Sequence, residues 1–140
     1  MPSFVDTNIF IHYLLGYDRE RFRQCHTLIR SAEDGRADLE TSTLVIAELI
    51  WFLERPPLRT SPARVHSLIA PLLRLDSLRL PDRDLVAAAL ERHANSTMNF
   101  VDACNTVLMQ KRRITQIFSY DTDFDGVPGV ERVEPSALAS

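Results

Sequence analysis

Ser3-Phe4-Val5-Asp6-Thr7-Asn8-Ile9-Phe10 decides the architecture of this chain. Ser3 to Thr7 reads as a short, mainly apolar strand, and a helix follows from Ile9 to about Leu15, which makes the first half of a β–α unit. Asp6 thereby falls at a strand's carboxyl end. The same alternation continues outward from this start. Gly16-Tyr17-Asp18 interrupts the pattern, and Arg19 to about Ala32 is an amphipathic helix turning Phe22, Cys25, Leu28 and Ile29 inward, with Gly35 as its stop. Leu39 to Ser42 is a second strand. Ser42 or Thr43 then caps a helix that runs to Glu54 and is ended by Pro56-Pro57.

Ser61-Pro62 marks a new helix start, with serine as cap and proline in the first turn. Leu78 to Leu80 is a brief strand, Pro81-Asp82 opens a helix to about Ala94, and Asn95-Ser96-Thr97 is a loop. A helix from about Val101 to Arg112 and a strand from Thr115 to Ser119 follow. Asp121 to Gly129 is rich in turn residues, and Val130 to Val133 completes the pattern as an edge strand. Strands separated by helices, often two at a time, require parallel pairing with helices on both faces. The expected fold is a three-layer α/β/α sandwich around a central, mainly parallel sheet. Ligands of such sheets gather at the carboxyl ends of the strands, where Asp6 and Asp121 both fall.

At 140 residues and 45% hydrophobic content the chain supports one buried core, so residues 1–140 are expected to form a single domain. No run of about 18 apolar residues occurs, and the N-terminus lacks a basic segment followed by an apolar stretch and a cleavage site. A soluble cytoplasmic protein without a membrane partner is expected. Cys25 and Cys104 have no Cys-x-x-Cys partner, which leaves a disulfide framework or a structural zinc site without support.

Four acids resist explanation as packing: Asp6, Glu48 in Ala47-Glu48-Leu49, Asp102 in Val101-Asp102-Ala103, and Asp121 in Ser119-Tyr120-Asp121. Glu48 lies three residues after Val45 and four before Phe52, on what reads as an apolar stripe. Asp102 occupies the first turn of its helix, where the dipole favours a carboxylate, and Asn105 and Thr106 share its face. Each acid alone has a plainer role: a helix cap for Asp6 or Asp102, an arginine partner for Glu48, a turn residue for Asp121, Asp123 or Asp125. Gathered by a fold, they would repel one another unless cations compensated them. The net charge of −3 argues against a nucleic-acid partner only while these four count as free charges, because their neutralisation removes the excess of 19 acidic over 16 basic residues. Lys111 is the sole lysine, so the positive charge is nearly all arginine, which suits bidentate phosphate contacts.

Asp6-Thr7-Asn8 after the first strand, Ala47-Glu48-Leu49, Asp102-Ala103 and Ser119-Tyr120-Asp121-Thr122-Asp123-Phe124 together resemble a PIN domain, over essentially the whole chain. The size is similar to that of VapC toxins, the metal-dependent ribonucleases of bacterial and archaeal toxin–antitoxin pairs. That resemblance implies a catalytic, metal-binding quartet of Asp6, Glu48, Asp102 and Asp121, with Asp123 as a further ligand. It places Asn8 and Ser119 around the ligands as polar supports, and Thr7 beside Asp6 and Asn105 on the helical face of Asp102 are expected to join them. It also implies a homodimer and a small VapB-like antitoxin as partner. Arg112 and Arg113 are weaker candidates for RNA contact, since cations at a helix end are favoured by the dipole in any case.

An all-carboxylate donor set suits Mg²⁺ or Mn²⁺, one ion or two, and is a poor fit for zinc. Such ions activate water for in-line attack on a phosphodiester, leaving a 3′-hydroxyl and a 5′-phosphate. Two rival readings stand beside this one. Asp121-Thr122-Asp123-Phe124-Asp125-Gly126 matches the first half of an EF-hand calcium loop, but its twelfth position is Arg132 where a glutamate is needed. A non-cleaving PIN-like module that binds RNA or protein keeps the fold and loses the chemistry. His12, His26, His66 and His93 show no metal-ligand spacing, and Trp51 and Phe52 read as packing or dimer-interface residues.

Overall fold

The computed structural model describes residues 1–138. Its elements are β1 (Ser3–Phe4), α1 (Thr7–Leu15), α2 (Arg19–Glu33), β2 (Leu39–Glu40), α3 (Thr43–Glu54), α4 (Pro62–Leu73), β3 (Leu78–Arg79), α5 (Arg83–Ala94), α6 (Phe100–Lys111), β4 (Gln116–Phe118) and β5 (Glu131–Val133), with 3₁₀ turns at Thr122–Gly126 and Pro135–Leu138. Two helices separate each of the first three strands from the next. That connection length returns the chain in the same direction, and every strand pair is parallel. The fold is the expected α/β class, with a parallel sheet and six α-helices among the described residues.

Local chemistry sets the boundaries. Ser42 accepts the Val45 N–H at 3.2 Å to start α3, and Ser61 accepts the Arg64 N–H at 3.2 Å to start α4, with Pro62 in the first turn where no N–H is needed. Gly16 ends α1 in the left-handed region, φ 64°, a conformation that costs a residue with a Cβ more than it costs glycine. The strands are shorter than the sequence pattern predicts. Asp6 has already left β1 to cap α1, so α1 begins at Thr7 and not at Ile9.

The strands form two ladders, β1-β2-β3 and β4-β5, and no hydrogen-bonded register joins them among the described residues. Ser3 pairs with Leu39 and Leu39 with Leu78, and beyond the ladder the Thr41 hydroxyl donates to the Val5 carbonyl at 3.0 Å. That bond ties the segment before α3 to the one before α1. The β4 segment buries little: Ile114 and Phe118 remain 46% and 49% exposed, and Phe124 is the side chain of the following turn that enters the core.

One cluster of buried side chains joins most of the elements, including Phe10 of α1, Ile29 of α2, Ile46 and Leu49 of α3, Ile69 of α4 and Leu90 of α5. Leu49 is wholly inaccessible, so its truncation to alanine is of the kind that costs about 2–5 kcal/mol. On α2, Cys25, Ile29 and Ala32 face the core, but Phe22 does not; it packs on His26 with ring centroids 4.2 Å apart. His93 is buried, with Nδ1 2.6 Å from the Met98 carbonyl and Nε2 2.6 Å from Glu54 Oε2, which clips the ends of α3 and α5 together. No described helix is long and apolar enough to cross a membrane.

Candidate metal centre

Asp6 stands at the N-cap of α1, where its Oδ1 accepts the Thr7 N–H at 2.7 Å. Its second carboxylate oxygen is uncommitted among the described residues. Glu48 projects from α3 into the same depression, a cavity of about 270 Å³ lined also by Thr7, Asn8, Ile11, Trp51, Phe52 and Arg55. The structure thus brings Asp6 and Glu48 to one place from elements 42 positions apart in sequence. Glu48 is nonetheless exposed, which corrects the expectation that it shares an apolar stripe. The buried face of α3 is Val45, Ile46, Leu49, Ile50 and Leu53, and Glu48 falls on the opposite margin with Leu44 and Trp51.

Asp102 lies in the first turn of α6, half-buried, with its N–H donating to Asn99 Oδ1 at 2.8 Å. Burial raises its pKa above the ordinary carboxylate range, the charges of Asp121 and then Asp123 raise it further, and the Asn99 side chain opposes them through a hydrogen bond. Asp102, Asp121 and Asp123 are therefore electrostatic neighbours although loops and a strand separate them. Between the two candidates for the fourth acid, Asp121 acts more strongly on Asp102.

Asp121 opens the turn Thr122–Gly126, accepting the Asp123 N–H at 2.9 Å, while its own N–H donates to Ser119 Oγ at 3.0 Å. Ser119 thus holds the backbone of the acid-bearing turn. Asp123 also borders a second cavity of about 340 Å³, shared with Arg92 and Gln110. Asp125 is taken by Arg132, whose Nε lies 2.7 Å from its Oδ1. The residue at the twelfth position of the would-be calcium loop therefore pairs with a carboxylate that a calcium ion would need.

The two groups of acids do not close into one cage. Among the described residues, no set of three or more His, Cys, Asp or Glu side chains lies close enough to hold a metal ion. Uncompensated carboxylates repel, and within the second group burial first, then the charges of Asp121 and Asp123, raise the Asp102 pKa. Of the supporting residues, Thr7 is buried beneath Asp6, and Asn8 lines its depression. Asn105 is exposed one turn beyond Asp102 and bonds none of the acids among the described residues. Thr106 turns inward, accepting from Arg92 at 2.7 Å and donating to the Ala103 carbonyl, so the polar strip expected along α6 is divided between surface and core. Arg112 and Arg113 sit at the far end of α6, ten residues and about 15 Å of helix from Asp102.

Trp51, Arg55 and Asn99 were not among the site residues expected from sequence. Trp51 and Arg55 follow Glu48 at three and seven positions along α3, a spacing that places all three on one helical face. Burial raises the thiol pKa of both cysteines, to about 11 for Cys104, so neither is a ready nucleophile.

The PIN domain family model matches residues 3–130, and the chain belongs to that family. Among solved structures it is similar to a toxin–antitoxin complex from Klebsiella pneumoniae, at 17% identity over 92% of this chain and 95% of that one, with a TM-score of 0.33. It is also similar to VapC20 of Mycobacterium tuberculosis, a sarcin–ricin loop cleaving toxin, at 24% identity over 91% of this chain and 98% of that one, with a TM-score of 0.37. No curated protein matches. At such identities and TM-scores the assignment rests on the family match.

Proposed function

We propose that this protein is a metal-dependent endoribonuclease that hydrolyses RNA phosphodiester bonds, the toxin of a VapBC-type toxin–antitoxin pair. The observation that carries the reading is Asp102: a half-buried carboxylate at a helix N-terminus, under repulsion from Asp121 and Asp123, in a chain of the PIN family. Such a site is costly for a packing element and serviceable for a cation. The donor chemistry fits, because Asp6, Glu48, Asp102 and Asp121 offer only hard oxygen atoms, with Asp123 as a further donor, and these residues would hold Mg²⁺ or Mn²⁺. Sharing one ion among three or more of them requires the acids to draw closer than they stand. The bound ion, single or paired, would supply water activation and neutralise charge on the phosphate.

The chain's own residues prepare that chemistry. The Thr7 N–H fixes one Asp6 oxygen and leaves the other for the cation, and Ser119 holds the turn that presents Asp121. Asn99 favours the ionised form of Asp102, the form that binds metal. RNA products carrying a 3′-hydroxyl and a 5′-phosphate are expected, since the 2′-hydroxyl has no part in hydrolysis by water. A small antitoxin would inhibit by presenting an arginine or lysine to the acids, and a cytoplasmic homodimer is the proposed working state.

The experiment is incubation of unstructured RNA with and without Mg²⁺ or Mn²⁺. Cleavage that needs the ion, stops in EDTA and is lost in Asp102→Asn supports the enzyme. Among the described residues no three acids stand in a closed cluster, which favours a second reading, a non-cleaving RNA- or protein-binding module. Binding of RNA without cleavage at any concentration of either ion would establish that reading instead.

A further inference from the structure

Trp51 is the only tryptophan of the chain and is 60% exposed, on a helix whose neighbouring Ile50 and Leu53 are at most 1% exposed. It is therefore no part of the core, contrary to the packing role its apolar surroundings in sequence suggest. One turn later the Arg55 guanidinium carbon lies 4.4 Å from the Trp51 ring centroid and 4.9 Å from that of Phe52. This is the geometry of a cation held on an aromatic face. Arg55 forms no ion pair among the described residues, even though Glu48 shares its cavity. An exposed aromatic plane and an uncompensated guanidinium thus stand in the depression that also holds Asp6 and Glu48.

We propose that Trp51 and Arg55 form a nucleotide platform on which single-stranded RNA is seated: one base stacks on the Trp51 ring, and Arg55 takes the adjoining phosphate. The proposal rests on the ribonuclease reading and deepens it by naming what positions the substrate. Unpaired RNA bases present a π-face that stacks on an aromatic side chain regardless of sequence, whereas bases within a duplex are already stacked. A guanidinium matches phosphate oxygens in a bidentate fork. The carboxylates of Asp6 and Glu48 repel a phosphate until a cation compensates them, so the phosphate neighbouring the base belongs at the Arg55 side of the cavity. The cavity, about 270 Å³, has room for one extruded base and not for a segment of duplex. Trp51 and Arg55 are positioning residues, and the acids remain the hydrolytic groups.

Because Trp51 is the sole tryptophan, its fluorescence reports this site alone. The probe is a short unstructured ribo-oligonucleotide, titrated into full-length Asp102→Asn to separate binding from cleavage, beside the same oligonucleotide made abasic. Saturable quenching by the first and little by the second is expected. Trp51→Ala should weaken binding, followed by anisotropy of labelled RNA, by at least about 5-fold, and Trp51→Phe should recover most of the loss. Arg55→Ala should lower the salt dependence of binding by about one phosphate contact. Fluorescence that stays constant while RNA binds, or a Trp51→Ala protein that is folded and binds normally, overturns the platform and leaves the ribonuclease reading standing. Emission that shifts to the blue with protein concentration in the absence of RNA also overturns it, by showing a second copy over Trp51. If folded Asp102→Asn binds no RNA and folded wild type cleaves none, the platform and the ribonuclease reading both fall.

Discussion

Replacing Asp102 by asparagine separates a functional carboxylate from a structural one. In the folded chain its pKa is raised, so folding favours the protonated acid. A raised folded-state pKa contributes stability below the unfolded carboxylate range and loses it as pH climbs through the folded pKa. At pH 7 without metal the ionised Asp102 therefore weighs against the fold, and asparagine removes that weight. Two terms oppose the gain. The negative charge interacts favourably with the N-terminus of α6, by about 0.3–1 kcal/mol, and Asn99 bonds the carboxylate. Asp102 is only half-buried, so water and salt screen the repulsion from Asp121 and Asp123. The net change at pH 7 should lie between zero and about 1 kcal/mol in favour of the mutant. For 140 residues that is a rise in melting temperature of at most roughly 3–4 °C. Thermal melts in EDTA from pH 4 to pH 8 test this, with the mutant's advantage shrinking toward acid pH as the wild-type carboxyl takes up its proton. A mutant less stable by more than about 1 kcal/mol at pH 7, or one that still cleaves RNA, would refute the reasoning.

Asp6 should behave differently, because it caps α1 through the 2.7 Å bond from Thr7: alanine should cost about 0.5–2 kcal/mol in a denaturant melt, asparagine far less, and both should abolish cleavage. Saturating Mn²⁺ should raise the wild-type melting temperature with the logarithm of its concentration, an effect that EDTA reverses and that Asp102→Asn diminishes. Glu54→Ala should cost about 1–3 kcal/mol by stranding the buried His93 ring, with RNA cleavage at permissive temperature preserved. Expression of the wild type should arrest growth and Asp102→Asn should not, with rescue by a neighbouring gene for a small protein with a disordered tail; harmless expression of folded, abundant wild type would remove the toxin assignment and leave the nuclease one.

The order of elements was legible in the sequence because it depends on local chemistry. Ser42, Ser61 and the Pro62 turn start helices where their side chains and fixed φ angle dictate, and two-helix connections force parallel strands. The family, too, could be read from four acid-bearing motifs. What only tertiary structure decided was which residues share a face or a cavity. Glu48 looks buried when judged by Val45 and Phe52 alone, and packing places it on the exposed margin of α3 beside Asp6. Thr106 looks like a partner of Asp102 by helical spacing, but Arg92, fourteen positions earlier, draws it inward. Asp125 appeared equivalent to Asp121 and Asp123 until Arg132 claimed it. Trp51 lines the depression because packing buries the other face of α3, leaving its ring to Arg55. Caps, turns and periodicity act over a few residues, so one chain segment contains their cause. Burial and charge coupling act across space between segments whose approach the sequence does not print, and the site is made of those.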